Sequence, residues 1–116
     1  MDYKTLSAHS VNESSRSVRE RVNVARRIQE ARFAGTDIWN NASMSSLMIR
    51  KYCELDKDSR DLLKQSFDTL GLSARAHDRI LKLSRTIADL AGEKRIQLAH
   101  VAEAIQYRTL DRKWWG

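Results

Sequence analysis

Arg75 is the residue whose type and position are best suited to chemistry. Ser73 is a good helix N-cap, which places Arg75 in the first turn of the helix that follows. Unpaired backbone N–H groups and the dipole at a helix start favour an anion, and a guanidinium can donate two parallel hydrogen bonds to a phosphate. By residue type alone the indication is weak, because basic residues in a first turn are common and most are solvated.

Other residues that could carry chemistry form no catalytic or metal-binding pattern. His9, His77 and His100 lie far apart and lack the spacing of histidine metal motifs, so we expect each to be structural or solvated. Cys53 is the only cysteine, which excludes a disulfide within the chain and a metal site built on cysteine pairs. We predict no catalytic residue and no metal ligand, and we expect Cys53 to pack as a small apolar side chain.

A loop for nucleoside triphosphates is also missing from the sequence. The chain has no Gly-x-x-x-x-Gly-Lys-Ser/Thr segment, whose backbone N–H groups would cradle the phosphates. We therefore expect that the chain alone neither binds a cofactor in this manner nor hydrolyses ATP.

The composition indicates one all-helical domain. The 116 residues include no proline and only four glycines, and helix-favouring residues are frequent. The 21 basic and 15 acidic residues give a net charge of +6, which suits an anionic partner or simply a solvated helical surface. No apolar run approaches the ~20 residues of a membrane span, and the N-terminus lacks a signal-peptide core. A cytoplasmic protein without membrane contact is expected.

The elements that must position Arg75 centre on one strongly patterned helix over residues 73–91. Gly71 can close the preceding helix in the left-handed conformation, and Gly92 is placed to end this one. Spacings of four, three, four and three residues predict one apolar face, made of Ala76, Ile80, Leu83, Ile87 and Leu90. The remaining surface is predicted to be basic, with Arg75, Arg79, Lys82 and Arg85.

The rest of the chain predicts a small bundle of four to five helices. Residues 14–17 offer several caps for a first helix, among which Ser17 and Glu20 have the spacing of a capping box, and Gly35 ends that helix. The further expected elements are a loop over 36–43, a short helix over 45–53, a helix from 56 or 58 to 70, and a last helix from 96 or 97 to about 108. The predicted division is a lead-in over 1–13, a helical domain over 14–110 and a tail over 111–116.

Three stretches of the sequence carry a family resemblance. They are residues 13–26, residues 72–91 with the motifs Leu-Ser-Ala-Arg-Ala and Arg-Thr-Ile-Ala-Asp-Leu-Ala, and residues 100–108 with Glu-Ala-Ile-Gln-Tyr-Arg. The chain resembles the C-terminal helical (lid) domain of the magnesium-chelatase-like AAA+ ATPases, ComM/YifB type, over nearly its whole length.

This resemblance implies a function that the residues alone do not give. It implies a lid over nucleotide bound to an AAA+ core outside this chain, with ATP and Mg²⁺ as cofactors of the parent protein. In the family, the arginine of the Ser-Ala-Arg motif is the sensor-2 residue that reaches the γ-phosphate, which corresponds to Arg75, with Arg79 as second choice. The implied partners are the core, neighbouring subunits of a hexameric ring and, through DNA branch migration, DNA.

Two other functions remain open from the residues. Residues 56–70, the turn at 71–72 and the helix over 73–91 could form a helix-turn-helix, in which Arg75, Arg79 and Lys82 would face phosphates or base edges of a nucleic acid. The chain would then be a stand-alone nucleic-acid-binding domain. Alternatively, the bundle could serve only as a scaffold for contacts between subunits, and Arg75 would then be dispensable.

Overall fold

The fold is an all-α bundle, as predicted. The computed structural model describes the backbone of residues 14–115 and the side chains of residues 14–108. Within this part there is no strand, and the helices are α1 (Ser15–Arg32), α2 (Ser46–Tyr52), α3 (Lys57–Leu70), α4 (Ala74–Leu90) and α5 (Leu98–Trp115), with a 3₁₀ turn at Asn41–Ser43 before α2. None of these helices combines the length and hydropathy that crossing a membrane requires. The lead-in over 1–13, with His9, lies outside the described residues.

Helix α4 begins and ends where the sequence predicted. The Ser73 hydroxyl accepts a hydrogen bond from the Ala76 N–H at 3.2 Å. Gly71 before it has φ +62° and Gly92 after it has φ +71°, a conformation that glycine adopts without steric cost. The Glu93 N–H reaches the Ala88 carbonyl at 2.9 Å, which satisfies a carbonyl at the helix end.

Two other helix ends differ from the prediction. Helix α1 is capped by Ser14, whose hydroxyl accepts from the Ser17 N–H at 3.4 Å, so the predicted capping box of Ser17 and Glu20 is wrong. The chain enters the helix three residues earlier because Ser14 offers the same cap chemistry. Helix α5 continues to Trp115, past the predicted end near residue 108, since no glycine or proline interrupts it before Gly116.

Helix α4 is the centre of the bundle. Helices α1, α2 and α5 and the 3₁₀ turn all pack on it, while α3 packs mainly on α5. Ile80 and Ala88 of α4 meet Val101 and Ala104 of α5 in a core where all four are fully buried. Side chains from every described helix except α1 complete this core, among them Ile49, Leu63, Leu81 and Ile96 of the following loop. Only Ala25 of α1 is fully buried.

The buried face of α4 is rotated from the predicted one. Ala76 and Ile80 are buried as expected, but Leu83, Ile87 and Leu90 are only partly buried. The fully buried residues of the helix are Ala76, Ile80, Leu81, Ser84, Arg85, Ala88 and Asp89. The prediction that Arg85 belongs to the basic surface is therefore wrong. Periodicity of apolar residues could not show this rotation, because three of the seven buried side chains are polar or charged.

Core packing at Ile80 should dominate the stability contributed by α4. Ile80→Ala should lower the free energy of unfolding by about 2–5 kcal/mol, because it removes buried methyl groups and leaves a cavity. Leu83→Ala, at a partly buried position of the same helix, should cost about 1 kcal/mol. Urea unfolding of both variants measures the difference, and equal losses would contradict the observed rotation of α4.

Cys53 is buried in the core, as its predicted packing role requires. Burial raises the pKa of its thiol from 9.0 to about 11, with the charges of Arg85 and Arg32 acting in the opposite direction. The native state therefore keeps the thiol proton at pH values where the unfolded state loses it.

This proton difference has a measurable consequence. The free energy of unfolding should fall as pH rises from about 9 to about 11, and it should fall further for the wild-type chain than for Cys53→Ala, by on the order of 2 kcal/mol. Urea unfolding of both proteins at several pH values measures the difference. Parallel pH profiles would show that burial leaves the thiol pKa unchanged.

Candidate functional site

The exposed side of α4 carries the predicted basic residues in a groove of about 550 Å³. Arg75 and Arg79 are exposed, and Lys82 is partly buried. The lining consists of these three cations with Ala42, Asp78, Leu83 and Thr86. Three cationic side chains against one carboxylate make this groove suited to an anion.

Arg75 lies in the first turn of α4, where the sequence placed it. Ser73 satisfies the Ala76 N–H, and the helix geometry leaves the earlier amides of the turn directed outward along the axis. Arg79 follows one turn later on the same side, so its guanidinium can act together with that of Arg75 on one ligand. The arrangement can bind an anionic group such as a phosphate at the start of α4.

A buried polar cluster holds α4 against α1 and the 3₁₀ turn. We call it the Asp89 cluster, and it comprises Asp89, Arg32, Arg85 and Asn41. Arg32 donates two hydrogen bonds to the two carboxylate oxygens of Asp89, each at 2.7 Å. The Asn41 side-chain amide donates to Asp89 at 2.8 Å, and Arg85 Nε donates to it at 3.2 Å. Because Asp89 is fully buried, these donors replace its hydration entirely.

The burial of the charged Arg85 side chain is explained by its hydrogen-bond partners. Its two terminal nitrogens donate to the carbonyls of Glu93 and Lys94, at 2.8 and 3.0 Å, and so hold the loop that follows α4. Burial lowers the pKa of the Arg85 guanidinium, and the neighbouring Asp89 carboxylate opposes that effect. The sequence does contain a signal for this pair, since Arg85 and Asp89 are four residues apart. Their i,i+4 spacing is equally typical of a solvated surface pair, so it did not reveal burial.

The Asp89 cluster also fixes one wall of the basic groove. The Asn41 amide donates to the Thr86 hydroxyl at 3.1 Å, and Thr86 in turn donates to the Lys82 carbonyl. Lys82 Nζ then donates to the carbonyl of Ala42, at 3.0 Å, within the 3₁₀ turn. The turn and α4 are thus joined on both sides of Thr86, which gives the groove a defined shape.

The described histidines have structural surroundings. The Nδ1 atom of His100 accepts a hydrogen bond from the Gln97 N–H at 2.9 Å, at the start of α5. The His77 ring meets the edge of Phe67, with 6.1 Å between ring centroids. Over the described part of the chain, no three His, Cys, Asp or Glu side chains group in a way that could hold a metal ion.

Comparison with known proteins identifies the family. The family described as magnesium chelatase, subunit ChlI C-terminal, matches residues 12–108, which include every helix up to the middle of α5. The chain belongs to this family.

The relatives are proteins of the ComM/YifB type. The chain is 46% identical over 100 residues to the competence protein ComM of Haemophilus influenzae. The aligned part covers 86% of this chain and 19% of that protein. It is 41% identical over 108 residues to YifB of Salmonella typhimurium, covering 92% of this chain and 21% of that protein. YifB of Escherichia coli is 39% identical over 100 residues. The chain spans about a fifth of the length of these curated relatives and corresponds to a C-terminal domain of their type.

Loss of the Asp89 charge should destabilise the fold. Asp89→Asn keeps the shape of the side chain but leaves the buried guanidinium of Arg85 and the partly buried one of Arg32 without their carboxylate, which should cost about 3–5 kcal/mol. Asp68→Asn, on the exposed side of α3, is the matched control and should change stability by less than about 0.5 kcal/mol. Urea unfolding measures both variants, and equal effects would exclude a structural role for the cluster.

Proposed function

We propose that the chain is the nucleotide-sensing lid of a magnesium-chelatase-like AAA+ ATPase. It would cover ATP and Mg²⁺ bound to a core that lies elsewhere in the longer protein, and it would couple hydrolysis to remodelling of a substrate. Arg75 would be the sensor-2 residue that contacts the γ-phosphate, with Arg79 as the second choice. The neighbouring subunits of a hexameric ring are further partners in this proposal.

The observation that carries the proposal is the position of Arg75. It is exposed at the start of a helix whose opposite side is held in the core, and it lines a groove with Arg79 and Lys82. The packed helix fixes the backbone of Arg75, so its guanidinium is presented to a phosphate at the start of α4. Membership of the family and the length of its relatives support a larger protein around this module.

The chemical role follows from the charge of phosphoryl transfer. Negative charge is spread over the equatorial oxygens of the transferred group, so a fixed cation that approaches them lowers the barrier. The phosphate-binding loop and the magnesium ligands would come from the core. Arg75 would therefore serve as a contact to bound nucleotide that forms only when the lid is closed.

The proposal also includes the activity of the longer protein. DNA branch migration is the candidate activity of the longer protein, supported by the similarity to a competence protein and by the net charge of +6. This activity would need the whole ring, and the lid would contribute to it by linking nucleotide state to subunit geometry.

Removing the Arg75 guanidinium should impair hydrolysis by the longer protein. Arg75→Ala should lower kcat by about 10²-fold, with little change in the melting temperature, because the side chain is exposed. Arg60→Ala, an exposed arginine on α3 outside the groove, is the control and should retain full turnover. Steady-state ATP hydrolysis by correctly assembled protein measures both. Normal turnover of Arg75→Ala would remove this residue from the proposed role.

A stand-alone nucleic-acid-binding domain is the second candidate. The spacing of Arg75, Arg79 and Lys82 on one exposed side of α4 favours it, since such a row can follow a phosphate backbone. Binding of duplex and single-stranded DNA by the 116-residue chain, measured over a salt series, decides between the two candidates. Micromolar binding with a steep salt dependence would favour the second candidate, and no binding at high protein concentration would favour the lid.

A further inference from the structure

Helix α1 and the loop that follows it leave three valines and a tryptophan open to solvent. Only Ala25 among its 18 residues is fully buried, and Val18, Val22 and Val24 are each more than 40% exposed. Trp39, in the loop after the helix, is 80% exposed. Exposure of an indole to this degree costs free energy in water and is typical of a residue that anchors a protein contact.

Trp39 and α1 form the two sides of a groove of about 650 Å³, which we call the tryptophan groove. Its apolar lining comes from Val22, Ala25, Trp39 and Leu90. Its polar lining comes from Arg26, Gln29, Glu30, Asn40 and Thr86. Exposed apolar side chains with polar groups beside them are typical of a surface that contacts another protein.

The tryptophan groove continues into the basic groove of α4. Thr86 lines both of them, so the outer side of α4 presents a single surface from Arg75 at one end to Leu90 at the other. These two residues are about 22 Å apart along the helix axis. A body that sits in the tryptophan groove can therefore bring a second part of its surface over Arg75.

The charge of α1 restricts what can occupy the groove. The helix has six arginines and two glutamates, and all but one of its charged side chains are exposed. A second copy of this chain in a two-fold symmetric contact would place two such basic helices against each other, which like-charge repulsion opposes. An occupant whose apolar side chains enter the groove and whose acidic side chains face the other exposed arginines of α1 matches this surface.

We propose that the tryptophan groove is the docking site for the nucleotide-binding core of the same longer polypeptide. This proposal rests on the proposed function, because the core is the partner that brings phosphate to Arg75. The length of the relatives supports this partner, since about four-fifths of each relative lies outside the matched part and could include such a core. One or more apolar side chains of the core enter between Trp39 and Val22, and acidic side chains around them pair with the arginines of α1.

The proposed contact at the tryptophan groove should form without nucleotide, whereas the proposed role of Arg75 requires nucleotide. A measurement without nucleotide therefore tests docking alone. Backbone hydrogen exchange of α1 and of residues 38–41 is measured in the longer protein without nucleotide and in the 116-residue chain alone. We expect exchange to be slower in the longer protein by about tenfold or more, because docking must open before these amides exchange.

Trp39→Ala tests the groove directly. In the longer protein it should remove most of the added protection, while the melting temperature of the 116-residue chain should stay unchanged because Trp39 is exposed there. Tyr107→Ala is the matched control, since Tyr107 is a 63% exposed aromatic on α5 that does not line the groove. It should leave the protection intact.

The remaining outcomes separate the two proposals. Protection that persists in Arg75→Ala, together with lost hydrolysis, supports both of them. Protection that depends on Trp39 while Arg75→Ala hydrolyses ATP normally supports docking and overturns the sensor role. Equal exchange in the two proteins, protection that survives Trp39→Ala, or a Trp39-dependent dimer of the 116-residue chain in light scattering would overturn docking.

Discussion

The buried carboxylate of Asp89 is the interaction on which the arrangement of this domain depends. It joins α4 to α1 through Arg32, to the 3₁₀ turn through Asn41, and to the following loop through Arg85. Transferring these charges from water is unfavourable, and the hydrogen bonds offset that penalty only in one geometry. The cluster therefore contributes less to net stability than to the choice of one rotation and register for α4.

That rotation decides what the surface can do. With Asp89 and Arg85 turned inward, Arg75, Arg79 and Lys82 remain on the outer side of α4. The link from Asn41 through Thr86 then holds the 3₁₀ turn against α4, where Thr86 lines both the basic groove and the tryptophan groove. A structural cluster in the core thus positions both surfaces that we propose to contact the rest of the protein.

The sequence predicted the helices because their limits are local. Ser73, Gly71 and Gly92 act within one turn of a helix end, so their chemistry is visible without the fold. The exposed position of Arg75 followed from the same local pattern. The rotation of α4 could not be predicted in this way, because Asp89 pairs with Arg32, which lies 57 residues earlier in the chain. No local sequence pattern indicates that pairing. Local pattern also could not show that Val18 and Val22 of α1 are exposed, since an apolar position indicates burial without specifying which partner provides it.

The assignment of Arg75 came from the family resemblance, and the structure adds the groove around it. Residue type and position gave only a weak indication of a phosphate site there. The family match is established over residues 12–108, whereas the nucleotide contact is our proposal. The central claim of that proposal is that α4 presents Arg75 to the phosphate of a nucleotide held by another part of the protein.

The most direct test is a structure of the longer protein with a non-hydrolysable ATP analogue and Mg²⁺. We predict the Arg75 guanidinium within hydrogen-bonding distance of a γ-phosphate oxygen, about 2.7–3.2 Å. A nucleotide-bound, assembled ring in which Arg75 and Arg79 both face solvent would contradict it.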